Sequence, residues 1–209
     1  MFRPFTLHTL SATGLALALI TSPDVAPARQ AETAQSLAEV SALRDEIGKA
    51  ASATAVLDRW CVSHHMAPEG AVIAEKIANK PVSATAQLRR TLRLKEWDRV
   101  QRRHVRLRCG GHILSVARLW YVPARLPASM EASLQQTGTP FGKVIAPLHL
   151  NRQSAGSSSA WLPKGGGPTA KTPPRILFLQ RALMSRADGL PIAYVVEDYQ
   201  RGLLGSAPD

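Results

Sequence analysis

Between Val100 and Cys109 the chain alternates apolar and polar side chains, and beyond one Gly110-Gly111 step His112 to Val122 reads as a second strand. Period-two alternation marks a strand with one buried face, and two glycines between two such runs make a tight hairpin turn. A two-residue turn sets Cys109 opposite His112, Leu107 opposite Leu114 and Val105 opposite Val116, with Arg106 and Arg108 on the other face. The same register sets Arg103 opposite Arg118, both with the parity of the apolar side. Like charges placed directly opposite destabilise a sheet, and a buried guanidinium without a partner costs more. Three arrangements satisfy such a pair: an internal carboxylate, escape to water at the strand end, or an anion gripped by both forks. The third makes Arg103 and Arg118 candidate ligand-binding residues.

On either side of this hairpin the pattern changes. From Glu32 to Ile47, Leu37, Val40, Leu43 and Ile47 recur at helical spacing, with Gly48 as a stop. A second helix carries Val56, Leu57, Trp60 and Cys61 on one face. Pro68-Glu69-Gly70 opens a short third segment with Val72, Ile73 and Ile77. Leu88 to Leu94 reads as a strand, with Lys95-Glu96-Trp97-Asp98 as the turn into the hairpin. Pro123 ends the return strand, and Pro127 and Gly138 bracket a helix over Ala128–Thr137. Ser154 to Pro174, with its Ser157-Ser158-Ser159, Gly165-Gly166-Gly167 and Pro173-Pro174 runs, reads as a flexible insertion or lid. Arg175–Arg186 and Pro191–Tyr199 form a second hairpin across Asp188-Gly189. The chain is therefore expected to be α+β: N-terminal helices, then an antiparallel sheet interrupted by one inserted helix.

The first residues read as an address. Arg3 precedes the apolar Leu15–Ile20 run, then come Ser22-Pro23 and the small-x-small Ala26-Pro27-Ala28. This predicts a signal peptide over residues 1–28 cleaved after Ala28, and a periplasmic or secreted product with no stable membrane span. An N-terminal helical segment over 29–55 and a main domain over 56–205, carrying the insertion 154–174, follow. Export lets the two cysteines, Cys61 and Cys109, persist as a disulfide; otherwise they are small buried thiols. Cys61-x-x-His64 and Cys109-x-x-His112 have the spacing of zinc half-sites, but each has a simpler helix-core or turn reading, and no metal is expected. The net charge of +11 asks for anionic company, and residues 89–108 hold nine of the Lys and Arg. Only Trp97 is there to stack on a base and several arginines alternate outward, so nucleic acid is not the expected partner. No Gly-x-Ser-x-Gly occurs, which removes that route to a serine nucleophile. Oligomeric state is not fixed by any of these features.

From about Val56 to Tyr199 the chain resembles the chorismate pyruvate-lyase family and the effector-binding (UTRA) domains of bacterial regulators with the same fold. The resemblance rests on the helix ending in Met66, the Gly110-Gly111 hairpin with arginine at both ends, the Thr139-Pro140-Phe141-Gly142-Lys143 turn, and Glu197 in the last strand. It implies that Arg103, helped by Arg118, holds a ring carboxylate. It also implies that Met66, Phe141 and Gly142 lend backbone to the pocket and that Glu197 handles a proton. Arg103 and Glu197 would then be catalytic, releasing pyruvate from chorismate to leave 4-hydroxybenzoate without a cofactor. The alternative is a non-catalytic exported binder of a small anion or aromatic carboxylate on the same fold.

Overall fold

A computed structural model describes residues 25–68, 71–159, 161 and 173–205. Residues 1–24 of the leader expected over 1–28, Glu69-Gly70, Ala160 and residues 162–172 of the insertion, and residues 206–209 lie outside the described residues. Helix α1 (Val25–Lys49) is followed by α2 (Ala53–Ser63), β1 (Val72–Val82), α3 (Ala86–Thr91), β2 (Val100–Cys109) and β3 (His112–Tyr121). Then come α4 (Ala128–Gln136), α5 (Phe141–Val144), β4 (Asn151–Ser158), β5 (Ile176–Ser185), β6 (Pro191–Gln200) and a 3-10 turn at Arg201–Leu204. The strands form one antiparallel sheet in the order β1-β2-β3-β6-β5-β4. The α+β class with an antiparallel sheet, expected from the sequence, is the observed one. Among the described residues no helix is long and apolar enough to cross a membrane.

Helices α1 and α2 cover the inner face of the sheet. Val40, Leu43 and Ile47 of α1 and Val56, Leu57 and Cys61 of α2 are buried against Val105, Leu107 and Phe178. The division drawn at residue 55 falls inside α2, and α1 shares this core with the sheet. The cleavage point expected after Ala28 lies in the first turn of α1. Ser52 caps α2 by accepting from the Ala55 N–H. A second cluster gathers Leu119, Tyr121, Leu134, Ile145 and Ile192 beneath α4 and α5. Cys61 of α2 and Cys109 at the end of β2 are joined by a disulfide, with Cα atoms 6.0 Å apart. Bonded to each other, they offer no thiolate to a metal.

Four local expectations need correction. The third segment after Pro68 is not short but the 11-residue edge strand β1, whose Val72 and Ala74 are buried and whose Ile73 is exposed. Leu88–Leu94 is not a strand. Thr85 caps a helical turn there by accepting from the Leu88 N–H, and the segment ends as α3. Ser154–Ser158 is not a loose lid but the outer half of β4, laddered to β5, and Trp161 beyond it is 1% exposed.

The fourth correction concerns the hairpin. The register starts as expected at Cys109↔His112, but β3 then bulges: Arg108 faces Ile113 and Leu107 faces Ser115. Leu114 is the extra residue, and it lets both Leu114 and Ser115 turn inward, each 0% exposed. Every later β3 residue is displaced by one, so Arg103 faces Leu119 and Arg118 faces His104. Arg118 therefore leaves the apolar side.

Candidate functional site

Arg103 is 0% exposed and stands on the inner face of β2. Its Nη1 and Nη2 each donate to the Thr139 carbonyl at 3.1 Å, and Nη2 also reaches the Thr137 carbonyl at 3.4 Å. Its Nε is buried without a partner, and among the described residues no carboxylate forms an ion pair with it. Burial pushes its pKa down, with only the more distant Tyr121 and Glu131 opposing. The guanidinium thus anchors the Thr139-Pro140 turn, and Glu131 acts on its charge only without direct pairing.

That charge borders a partly open cavity of about 50 Å³ at the seam between the two hydrophobic clusters. Val105, Leu107, Ala117 and Leu119 make its floor; Ser52, Ala53 and Thr54 at the start of α2, with Phe141 and Gly142 of α5, make its roof. The roof is closely packed, since a Cβ on Gly142 would meet Thr54 Oγ1 at 2.8 Å. Two further charged side chains reach the cavity. Glu197 of β6 faces inward, 5% exposed, accepting from the Tyr199 hydroxyl at 2.9 Å and from Ser115 Oγ at 3.3 Å. Burial raises its pKa despite these hydrogen bonds and the field of Arg152. Arg152 of β4 donates from Nη1 to the Ile47 carbonyl at 2.7 Å and the Ala50 carbonyl at 3.4 Å; its Nη2 is buried without a partner.

Of the residues singled out from sequence, Arg103, Phe141, Gly142 and Glu197 come together here. Arg118 does not. It lies on the outer face, ion-paired to Asp198 at 2.7 Å, so the Arg103–Arg118 pair is corrected to Arg103 and Arg152. Met66 does not line the cavity either; its carbonyl lies under the hairpin, 3.1 Å from where a Cβ on Gly110 would stand. Lys143 of the same turn is occupied structurally, bridging Asp58 and the Val72 carbonyl. Arg152, Ser115 and Tyr199 were missed. Ser115 is placed by the bulge, and Arg152 sits where the small-residue run hid a strand.

One antiparallel sheet roofed by helices, with two arginines and a glutamate around a partly open cavity, defines the class of this domain: a small α+β fold with a charged, recessed site. No protein-family model matches the chain. It is similar to the effector domain of PhnF from Mycobacterium smegmatis, at 14% identity and TM-score 0.49 over 72% of this chain and 88% of that one. It is also similar to the ligand-binding domain of a GntR-family transcriptional regulator from Bordetella bronchiseptica, at 13% identity and TM-score 0.44 over 62% and 83%. The uncharacterized protein y4mC of Sinorhizobium fredii (strain NBRC 101917 / NGR234) is 35% identical over 182 residues, 81% of this chain and 77% of that protein. The chain belongs to the same family as y4mC.

Proposed function

We propose that this protein is an exported binder of a small carboxylate, held in the cavity by Arg103 and Arg152. The observation that carries this reading is a fully buried guanidinium, with no carboxylate partner among the described residues, facing an apolar cavity that a second guanidinium also enters. Such a charge is costly unless an anion completes it. The volume limits the anion. A cavity of about 150 Å³ takes benzene, so one of about 50 Å³ takes a short carboxylate and no benzenoid ring without movement of Phe141 or the start of α2. Glu197, held toward its neutral form by burial, offers an acid group beside that anion instead of repelling it. The Cys61–Cys109 bridge suits an oxidising compartment and so supports export.

The chorismate-lyase reading keeps one observation in its favour: a carboxyl with a raised pKa shares the cavity with Arg103, as a general acid would. Calorimetric titration of acetate, pyruvate and 4-hydroxybenzoate, beside a chorismate turnover assay, separates the two. The binder should take up the short acids, and Arg103→Gln and Arg152→Gln should each weaken them by about 1.5–3 kcal/mol, roughly ten- to a hundredfold. Arg106→Gln, on the outer face with Glu75, should leave affinity unchanged. Turnover abolished by Glu197→Gln would establish the lyase; equal losses at Arg103 and Arg106 would remove the cavity from both readings.

A further inference from the structure

The opposite face of the sheet holds a larger recess, distinct from the cavity under α2. Here Arg102 of β2, Trp120 of β3 and Tyr194 of β6 stand side by side on three adjacent strands, because Arg102 pairs with Trp120 and Trp120 with Tyr194 in the ladders. The β3 bulge sets this row as well as the inner site, since it puts Trp120 outside. The indole and phenol rings lie 28° from parallel with centroids 6.2 Å apart, forming a continuous aromatic floor. Helix α3 supplies Leu88 as an apolar wall, and Ser83, Thr85 and Thr91 bring hydroxyls to the rim. The recess measures about 470 Å³, within the range of about 300–1,000 Å³ typical of small-molecule sites.

Arg102 is the unusual member. Its strand neighbours on this face, Arg106 and Arg108, both donate to Glu75, and Arg118 beside them is paired to Asp198. Among the described residues Arg102 forms no ion pair, and its Nε is withdrawn from solvent without a hydrogen-bond partner. A guanidinium left over at the end of an aromatic floor is complementary to a ring that carries a negative group. We propose that this recess binds a planar aryl carboxylate, its ring on Trp120 and Tyr194 and its carboxylate on Arg102. The inner cavity measures about 50 Å³ and this recess about 470 Å³, so the recess has the room for a ring that the cavity as it stands lacks.

The test titrates 2-naphthoate, and separately its neutral analogue 2-naphthamide, into the full chain while recording the indole N–H signals, with the Trp120 signal assigned by Trp120→Phe. Naphthoate should move the Trp120 signal saturably and bind at least tenfold more tightly than naphthamide, and Arg102→Gln should bring the two ligands level. Acetate binding in the inner cavity should be untouched by Arg102→Gln, so a failure of one site is read separately from a failure of the other. Equal affinities for acid and amide would overturn the proposal without recourse to any variant. So would a naphthoate response that leaves Trp120 unmoved and follows Arg103→Gln.

Discussion

Glu197 shows how one residue's surroundings become a pH dependence of the whole fold. Burial lifts its carboxyl above the ordinary value, outweighing the Tyr199 and Ser115 hydroxyls and the nearby Arg152. A group whose folded pKa exceeds its unfolded one contributes stability that is complete below the unfolded value, about 4.5, and lost as pH rises through the folded value. Glu197→Gln keeps the shape and the acceptor but has no proton to lose. Thermal melts between pH 4 and 8 should therefore show the variant gaining on the wild type as pH rises, with the gap opening above about pH 4.5. A gap of constant size would mean that Glu197 titrates in the fold as it does in the unfolded chain. Residue parity made Arg103 legible in the sequence, since alternation alone places it on the apolar side. Arg118 was read onto the same side by the same rule, and it failed because parity carries only as far as the next irregularity in the ladder.

Elements were legible wherever side chains alternate against a core. β2 matches the expected boundaries, and the second hairpin and α4 match within a residue. β4 was not, because it is an outer strand whose side chains are mostly exposed, so nothing forces a pattern on Ser154–Ser158. α3 was missed because six residues with no buried side chain carry no helical stripe. The bulge at Leu114 left no composition signal of its own, yet its surroundings lock it. The 3-10 turn after β6 lies across it, and a Cβ on Gly202 would stand 2.3 Å from the Ile113 carbonyl oxygen. Gly202→Ala must therefore push the turn off β3. Urea unfolding should show a loss of about 1–3 kcal/mol, the cost typical of overpacking, whereas Gly189→Ala, whose Cβ meets nothing within 4 Å, should show only the strain of its positive φ. Equal losses would mean that the turn has room to move.

Across the whole molecule, the disulfide joins residues 48 apart and ties the helical roof to the central sheet. Constraining a loop of that length in the unfolded chain is worth about 2–4 kcal/mol, so Cys61→Ser with Cys109→Ser should lower unfolding stability by that amount, read from urea titrations. No change would mean that the α2–sheet packing alone fixes the roof. The location of the bond also decides which end of the roof is covalently fixed. It fastens the C-terminal end of α2, while the cavity lies under Ser52–Thr54 at the other end. That end is held by its burial against the sheet and α5, and by Arg152 through the Ile47 and Ala50 carbonyls of the α1–α2 connection. The same guanidinium thus both holds the α1–α2 connection and lines the cavity. If Arg152 takes the carboxylate proposed above, that anion competes with two backbone carbonyls for one guanidinium.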